Sequence, residues 1–356
     1  MLNPLETTTI GSFPKPSFVP VRDWFDLARE KGAMDTIETT LQYNLDIQKN
    51  RDTHELLFLK ATKEILDIQL RAGISIPTDG EVRRENYIHY HCRHLAGFDF
   101  INLEQRILRD GAYETELPAI RSKIMHPGKN YSVHDYLASQ ALTPSQIKFT
   151  LPGPLTIMDT TADYFYDDRP KLNTALAESI NKEILALVEA GCRHIQVDEP
   201  LFARSVKDAL DFGMEGLERC FHGVPKSVSR IVHMCCGYPE HVDDFDYKKA
   251  DPLSYHQLSK AIDEAAFDQI SIEDKHCCND LNLLEKFQHK TVIFGSIAIA
   301  SSHLETVDEV VDRLKAAIEH IDRNRLVVAP DCGLGLLSSK LAEEKLRVMC
   351  QAAALV

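Results

Sequence analysis

The sequence has a deficit of basic residues and no long apolar run. It contains 40 Lys and Arg residues against 54 Asp and Glu residues among 356, which gives a formal net charge of −14 at pH 7. Such a charge is unfavourable for binding nucleic acid or an anionic membrane through a basic surface. The longest apolar stretches, such as Thr291–Ala300, are far shorter than the roughly 20 residues of a membrane helix. We therefore expect no nucleic-acid partner and no association with a membrane.

The sequence also lacks a recognisable secretory signal, and its number of cysteines is odd. Its first six residues have no basic segment followed by an apolar one, so a cytoplasmic protein is expected. Nine cysteines are poor material for a disulfide framework in a chain of this size. Cys192, Cys220 and Cys350 are expected to be buried thiols that pack as small apolar side chains, and Cys236 to lie between sheet and helix. The hydrophobic content of 44% and the charged content of 26% are ordinary for a globular protein and exclude disorder and fibrous repeats.

Short β-branched runs recur along the chain, and each is followed by a longer segment with helical periodicity. Most of the runs are continuously apolar, as expected for parallel strands that are covered on both faces. Eight such units favour an α/β fold of the (β/α)8 TIM-barrel type, with an open doubly wound sheet as the alternative. The predicted strands are Thr7–Phe13, Gly73–Thr78, Gln146–Leu151, His194–Val197, Arg230–Cys235, Gln269–Glu273, Thr291–Ile297 and Arg325–Ala329.

The helical segments and one long interval define the domain organisation. Lys171–Ala190 and Leu304–Ile321 carry apolar residues at spacings of three and four, and Ser301 or Ser302 could cap the second helix. The interval 82–144, between the second and third strands, is too long for one crossover helix, so we expect an insertion there. It is rich in His, Arg and Tyr and is placed to cover the mouth of the barrel. A single catalytic domain over residues 1–356 is therefore predicted.

Four potential metal ligands lie at the predicted carboxyl ends of three strands, where barrel enzymes have their active sites. His233 and Cys235 are two residues apart on one strand, so both side chains face the same side. Glu273 and Cys332 end or follow two further strands at the same rim. Imidazole, thiolate and carboxylate groups are the usual ligands of tetrahedral zinc. The sequence thus predicts a Zn²⁺ site formed by His233, Cys235, Glu273 and Cys332.

The chemistry of that ligand set favours a reaction on sulfur. Zinc with two thiolates and a carboxylate is a weak Lewis acid towards a carbonyl, but it can hold an incoming thiol as the nucleophilic thiolate. We therefore expect S-alkylation, and no catalytic residue is predicted beyond the zinc ligands. A purely structural zinc is the alternative, although structural sites usually take ligands from closely spaced loop positions. His276, Cys277 and Cys278 are competing donors that are less favoured because they lie beyond the strand end.

Other residues at the strand ends can recognise an amino acid. Glu81 and Asp198 can hold an ammonium group through charge-assisted hydrogen bonds. The alternative for both carboxylates is an ion pair with nearby arginines of the insertion. Ser12 and the backbone of Gly11 can hold a carboxylate through amide donors. The substrate predicted from these groups is an amino acid whose side chain ends in a thiol.

These residues resemble the catalytic half of cobalamin-independent methionine synthase, with the motifs in the same order along nearly the whole chain. The resemblance implies a TIM-type barrel, a catalytic zinc on the four ligands named above, and methyl transfer to homocysteine. It also implies that homocysteine binds to Ile10, Gly11, Ser12, Glu81 and Asp198. The matching segments are Thr8–Pro14, Asp79–Glu81, Gly153–Ile157, Gln196–Pro200, His233–Cys235, Ile272–Glu273 and Pro330–Leu334.

The chain departs from that family where the methyl donor binds. Folate-using members have a second, N-terminal barrel, for which this chain has no room. They also have a tryptophan that stacks on the pterin at or near the position of Thr160. Near the position of Ala298–Ala300 they have a histidine that helps to protonate the folate leaving group, and His303 could partly substitute for it. The sequence therefore most resembles the short, folate-independent core methionine synthases, the MesD type among them. This resemblance implies a non-folate methyl donor, with a corrinoid protein or another methyl carrier or accessory protein as partner.

Two further functions are compatible with the sequence. The first is alkyl transfer to another thiol, as in the epoxide:coenzyme M transferases, with basic side chains of the insertion binding a sulfonate. Glu81 and Asp198 oppose it, because two carboxylates would repel that anion. The second is a non-catalytic zinc-binding or scaffold protein. The insertion residues that could bind a sulfonate are Arg83, Arg84, His89, His91, Arg93 and His94.

Overall fold

The protein is an α/β fold around a curled parallel sheet. Its strands are short and buried, and helices on the outer face connect most of them. Within the residues whose structure is described, no helix is long and apolar enough to cross a membrane. The computed structural model describes residues 4–21, 45, 51–108, 113–239, 241–244 and 247–356.

Seven strands form the main sheet, in the order β1-β10-β9-β8-β7-β6-β4, and every neighbouring pair is parallel. The segment predicted as the second strand lies between the two edge strands. Ile76 pairs with Thr8 beyond β1, and Thr78 pairs with Lys148 of β4, each through an isolated parallel bridge. The sheet thus curls until both of its edges contact one segment. The strands are β1 Glu6–Thr7, β2 Ala96–Leu108, β3 Tyr113–Met125, β4 Lys148–Pro152, β5 Ala162–Asp163, β6 His194–Asp198, β7 Ser229–Met234, β8 Gln269–Ile272, β9 Thr291–Ile297 and β10 Leu326–Pro330.

The helices follow the strands as expected of parallel β/α units. A π-helical turn spans Ala209–Gly213, and 3₁₀ turns span Leu281–Lys286 and Arg323–Arg325. The α-helices of the described residues are α1 Arg51–Ala72, α2 His89–Cys92, α3 Tyr131–Gln140, α4 Pro154–Asp159, α5 Arg169–Glu189, α6 Leu201–Arg204, α7 Val206–Asp208, α8 Met214–Cys220, α9 Leu253–Glu264, α10 Val307–Ala317 and α11 Ser339–Leu355.

The start of α10 differs from the sequence prediction. The helix is capped by Thr306, not by Ser301 or Ser302. The Thr306 hydroxyl accepts a hydrogen bond from the Glu309 amide, and the Glu309 carboxylate accepts one from the Thr306 amide. This reciprocal pair satisfies two N–H groups that would otherwise lack partners at the helix start. The helix therefore begins at Val307, three residues after the Leu304 that the periodicity indicated.

The sheet separates two apolar regions. The larger region lies between the strands and the surrounding helices and contains most of the buried aliphatic side chains. The smaller region is enclosed by the concave face of the sheet. Its members are Ile10, Ile231, Ile293, Val327 and Ala329. Because residues alternate across each strand, the polar side chains of the site extend from this concave face.

The predicted insertion contains a long antiparallel hairpin. Strands β2 and β3 pair with each other, and β5 pairs in parallel with β3 to complete a small second sheet. Helices α2 and α3 flank this hairpin in the chain. The contact between β3 and β5 fixes the insertion to the residues that directly follow α4.

Candidate active site

One imidazole and two thiols lie together at the carboxyl edge of the sheet. His233 is the penultimate residue of β7, Cys235 follows that strand directly, and Cys332 follows β10. Their ligand atoms lie within 4.8 Å of one another, and Cys332 Sγ is 3.4 Å from His233 Nε2. His233 and Cys235 are buried, whereas Cys332 is partly exposed. Imidazole nitrogen and thiolate sulfur are common zinc ligands, so this donor set fits zinc.

Ser271 orients the imidazole of His233. The two residues are register partners on β7 and β8, and His233 Nδ1 lies 2.9 Å from Ser271 Oγ. This contact leaves Nε2 directed towards Cys332. A hydrogen bond to the nitrogen that does not bind the metal is the usual way in which a protein fixes a histidine ligand. The sequence analysis missed Ser271, although its position two residues before Glu273 places it on the same face of the strand.

Hydrogen bonds within the cluster favour a thiolate. Cys332 donates towards Cys235 and, with the neighbouring His233, holds the pKa of Cys235 well below its ordinary value. The same interaction with Cys235 raises the pKa of the Cys332 thiol. Burial lowers the pKa of His233, but the hydrogen bond and the charge of Cys235 reverse this effect and raise it overall. The cluster therefore favours ionisation of the Cys235 thiol, and the thiolate is the form that a metal ion binds.

Glu273 lies beside this cluster but its carboxylate is held by other groups. Glu273 Oε2 accepts a hydrogen bond of 2.9 Å from the Cys236 amide, and Oε1 lies 3.3 Å from Lys249 Nζ. Burial, followed by the charges of Asp331 and Cys235, raises the pKa of Glu273 to about 7. Three of the four predicted zinc ligands thus form one group of donor atoms, and Glu273 is their neighbour.

The competing donors are divided between two other groups that share Glu273. One group contains Cys236, Glu273 and Cys277, and the other contains Glu273, His276 and Asp331. Cys236 is buried, as expected. Cys278 is exposed, and its Sγ lies 3.8 Å from the Lys275 carbonyl.

Glu81 lies at a strained turn. Its φ is +56°, which is unusual for a side-chain-bearing residue, and its amide donates to Asp79 Oδ1 at 2.9 Å. Glu81 Oε1 accepts from Thr150 Oγ1 at 2.7 Å and from Arg84 Nη1 at 3.1 Å. The arginine pairing considered from the sequence therefore holds for Glu81. Backbone strain of this kind is typical of functional sites.

Asp198 ends β6 on the concave face, and its carboxylate has no arginine partner among the described residues. Gln196 Nε2 donates to Asp198 Oδ1 at 2.7 Å and to the Ile10 carbonyl at 2.9 Å. Burial is the largest cause that raises the pKa of Asp198 to about 7, and the Glu81 charge adds to it. A nearby cation would offset this cost of burial, so the position is suited to an ammonium group.

The segment Ile10–Ser12 faces these carboxylates. A Cβ atom on Gly11 would lie 2.7 Å from Glu81 Oε1, so only glycine allows this close approach. The Ser12 carbonyl accepts from the Leu334 amide at 2.8 Å, which joins the segment to the Cys332 loop. In the part of the chain that is described, the amides of Ile10, Gly11 and Ser12 donate no hydrogen bond within the protein. These amides are free to hold a carboxylate.

Side chains of the insertion pack beside Thr160. His89 Nε2 lies 3.1 Å from the Thr160 carbonyl, and the His89 ring packs edge-on against Phe100. The Arg93 guanidinium stacks 4.3 Å above that Phe100 ring. The Thr160 carbonyl is therefore contacted by His89, and Phe100 packs behind that imidazole.

The residues after β9 also differ from the folate-using pattern. Ala298 and Ala300 are buried, whereas His303 is exposed. An imidazole close to this strand end belongs to His276, whose Nε2 accepts a hydrogen bond of 3.2 Å from the Ala300 amide. His276 comes from the loop after β8, so a strand-by-strand comparison of sequences could not place it here.

The insertion's basic side chains are engaged with carboxylates. Arg83 forms two hydrogen bonds of 2.6 Å with Glu55, and Arg93 Nε donates to Glu85 at 2.6 Å. Arg84 is bound to Glu81, as described above. The insertion therefore presents little uncompensated positive charge to the site.

The sequence analysis also missed two residues at the mouth. Tyr87 is partly buried, and burial together with the charges of Asp198, Cys235 and Cys332 raises its pKa well above the ordinary value. Its hydroxyl thus stays protonated and can donate a hydrogen bond. Arg204 ends α6, and its charge helps to lower the pKa of Cys235.

A parallel α/β sheet with an imidazole–thiol cluster and buried carboxylates at its carboxyl edge defines an enzyme that acts on a small polar molecule. Comparison with known sequences and structures identifies the family. Residues 5–355 match the sequence model of the family described as the catalytic domain of cobalamin-independent synthase. The chain belongs to this family and is a methyltransferase of the cobalamin-independent methionine synthase type.

Individual relatives match along nearly their whole length. Methionine synthase of Saccharolobus solfataricus is 28% identical over 349 residues, which is 98% of this chain and 93% of that protein. Methionine synthase of Sulfurisphaera tokodaii is 28% identical over 353 residues, or 99% and 92% of the two chains. The B12-independent methionine synthase from Shewanella sp. W3-18-1, solved with selenomethionine, superposes with a TM-score of 0.84 at 28% identity, covering 99% of this chain and 97% of that one.

Proposed function

We propose that this protein is a zinc-dependent S-methyltransferase that converts homocysteine to methionine with a non-folate methyl donor. The observation that carries the proposal is the cluster of His233, Cys235 and Cys332, whose ligand atoms lie within 4.8 Å of one another at the rim that also bears Asp198. Register pairs Asp198 with His233 on adjacent strands. A substrate thiol and its amino group can therefore bind side by side.

In this proposal Asp198 and Glu81 bind the substrate ammonium, and the amides of Ile10, Gly11 and Ser12 bind its carboxylate. The Shewanella relative was solved with selenomethionine, an analogue of the proposed product. An ion pair with Arg84 does not prevent Glu81 from accepting a further hydrogen bond, because a carboxylate has about four acceptor positions. Both ends of the amino acid are thus fixed before its side chain reaches the thiol cluster.

Zinc would be held by His233, Cys235 and Cys332, with Glu273 as the fourth ligand. Zinc bound there would stabilise the substrate sulfur as a thiolate at neutral pH. Ser271 keeps His233 Nε2 directed into the site, and the burial of His233 and Cys235 limits the access of water to that side of the cluster. We include Glu273 among the ligands because it lies close enough to both thiols to interact with their charges. The charge of Cys235 raises the pKa of Glu273, and the charge of Glu273 raises the pKa of Cys332.

A non-folate donor is proposed because the chain itself fills the place where a pterin would stack. His89 lies against the Thr160 carbonyl with Phe100 packed behind it, and buried alanines stand after β9 where folate-using members have a proton-donating histidine. A corrinoid protein or another methyl carrier is the proposed partner. The alternative, alkylation of a thiol that bears a sulfonate, is less favoured because Arg83, Arg84 and Arg93 are already paired with carboxylates.

We also propose that the curled sheet is one (β/α)8-type barrel domain with the insertion over residues 82–144. The seven strands and the segment with Ile76 and Thr78 would together make eight positions around the barrel. The support is that both edge strands bridge to this segment. A cytoplasmic location is part of the same proposal.

The test is complementation of a strain that lacks every other methionine synthase, with folate and corrinoid supply varied independently. We expect growth without methionine that survives folate limitation, and loss of growth with Cys332→Ser. Growth that ceases whenever methyl-folate is removed would contradict the non-folate donor. If no donor supports growth, and purified zinc-loaded protein also fails to bind homocysteine, the proposed function is wrong.

A further inference from the structure

A buried tyrosine hydroxyl lies where the ladder between β7 and β8 ends. The register of these two strands stops at the pair Met234 and Ile272. Tyr255 of α9 is fully buried, and its hydroxyl donates to the Met234 carbonyl at 2.8 Å and accepts from the Glu273 amide at 3.0 Å. A phenol can donate and accept at once, so one side chain satisfies two buried backbone groups. Tyr255 thereby joins the strand end that bears two of the proposed ligands to the backbone of a third.

A second tyrosine hydroxyl makes the same kind of link to the loop after β10. Tyr238 lies in the loop after β7, and its hydroxyl donates to the Gly333 carbonyl at 2.9 Å and accepts from the Leu336 amide at 3.3 Å. These two hydrogen bonds span the turn that begins at Cys332. Tyr238 thereby joins the loop that follows Cys235 to the loop that bears Cys332.

The loop after β10 is fixed on its other side by Ser12. The Leu334 amide donates to the Ser12 carbonyl at 2.8 Å. A Cβ atom on Gly333 would lie 2.2 Å from Ser12 Oγ, so this close contact requires glycine. The loop is therefore clamped between Tyr238 and the segment that is proposed to bind the substrate carboxylate.

These links matter because the proposed ligands come from strands that are not all neighbours. In the main sheet β8 and β9 lie between β7 and β10, so the ladder itself provides no bond that holds Cys332 beside His233. A ligand set that is held by contacts outside the ligands binds a metal ion more tightly, because fewer groups must be ordered when the ion binds. The two phenol hydroxyls supply contacts of this kind.

We propose that Tyr238 and Tyr255 are positioning residues that hold the ligand segments of β7, β8 and β10 in place for zinc. Tyr255 fixes the backbone of Glu273 against the end of β7, and Tyr238 fixes the backbone of Cys332. The inference rests on the proposed zinc site. Each tyrosine acts through the backbone groups that its hydroxyl contacts.

The test measures zinc affinity by competition against a chromophoric chelator, and the ligand set by the visible spectrum of the protein loaded with Co²⁺. Tyr255→Phe and Tyr238→Phe each remove one hydroxyl, and each should weaken zinc binding about tenfold. Tyr238→Phe should also reduce the sulfur-to-cobalt charge-transfer band, because this band depends on the number of bound thiolates and Cys332 is loosened. Tyr255→Phe should keep that band and shift the ligand-field bands, since it loosens a carboxylate.

Tyr166→Phe is the matched control. The Tyr166 hydroxyl also accepts from a backbone amide, that of Ile124 in the insertion, at 2.9 Å. This variant should keep the zinc affinity and the cobalt spectrum of the wild type. A purely structural role of Tyr238 or Tyr255 would lower the free energy of unfolding of the metal-free protein but leave the cobalt spectrum unchanged.

The outcomes separate this inference from the proposed function. Wild-type affinity and spectrum in both tyrosine variants would show that the phenols do not position the ligands. A wild type that binds neither zinc nor cobalt would overturn the proposed metal site itself, and both positioning roles with it. If Tyr255→Phe fails to fold, Tyr238→Phe decides, because Tyr238 is only partly buried.

Crystal structures of the metal-free and the zinc-loaded wild type give an independent test. Because the phenols hold the ligand segments before the ion binds, the backbone at Glu273 and Cys332 is expected to coincide in the two structures. A rearrangement of either segment on metal binding would overturn the inference.

Discussion

The proposed metal cluster depends on a hydroxyl that does not belong to it. Ser271 holds the imidazole of His233, and without it the ring can rotate about its bond to Cβ. Partners of this kind typically contribute 10–100-fold to metal affinity. The geometry of the cluster is therefore shared between β7, which bears the ligand, and β8, which bears its support.

Ser271→Ala should accordingly weaken zinc binding by about 10-fold or more, with little change in the free energy of unfolding of the metal-free protein. The measurement is competition against a chromophoric zinc chelator. Ser259→Ala is the control, because Ser259 Oγ bonds only to a backbone carbonyl of its own helix. Equal zinc affinities for the two variants would show that Ser271 does not orient His233.

At the residue scale the sequence predicted the meeting of three of the four proposed ligands, but not how each side chain is held. The spacing of His233 and Cys235 sets a common face, and Cys332 follows a strand at the same rim, so their meeting follows from alternation and topology. The direction of Glu273 depends on the Cys236 amide and Lys249, which come from another loop. No local pattern encodes such contacts, and the same holds for His276 beside Ala300.

At the scale of elements, the strands with continuous apolar runs were predicted to within one or two residues. The exceptions have physical causes. Most of Thr7–Phe13 follows β1 as the irregular segment that faces Glu81. Gly73–Thr78 forms only isolated bridges, because Gly73 has a φ of +105° and Pro77 has no amide hydrogen to extend a ladder. The internal hairpin of the insertion was not predicted, since its strands lack a clean alternation of apolar and polar residues.

The insertion also makes the stability of the protein depend on pH. Burial lowers the pKa of His89 to about 4 from 6.5. Between these values the unfolded chain binds a proton that the folded chain does not, so stability is lost as pH falls from 6.5 towards 4 and levels off below. The shift corresponds to at most about 3 kcal/mol.

His89→Gln should therefore reduce the loss of unfolding free energy between pH 6.5 and pH 4, measured by urea denaturation at several pH values. The exposed His303, changed to Gln, serves as a control for the removal of a histidine that is not buried. A His89→Gln variant whose pH profile runs parallel to that of the wild type would refute this assignment.

At the scale of the whole molecule, the proposed metal ligands come from distant parts of the chain. His233 and Cys332 are 99 residues apart in sequence, on strands separated by two others in the sheet. A ligand that binds only the folded state stabilises it by mass action, by about 2.7 kcal/mol at 100 times its dissociation constant. Metal bound here would thus act as a cross-link of the sheet.

Zinc should accordingly raise the melting temperature, and a strong chelator should reverse the rise. Calorimetric scans with and without zinc measure the effect. The double variant Cys235→Ser/Cys332→Ser should show no zinc-dependent shift, since two of the three clustered donors are gone. A shift that persists in this variant would mean that zinc stabilises the protein at some other place.

The pairing of β1 with β10 has a consequence for biosynthesis. The first strand pairs with the tenth in the main sheet, and Leu5 donates to the carbonyl of Ala353. A nascent chain on the ribosome therefore keeps an open sheet edge until the last strand has emerged, and such contacts of long sequence separation form slowly. The segment Ile10–Ser12 cannot meet Cys332 before that moment, so the proposed metal and amino-acid sites are complete only after β10 has been synthesised.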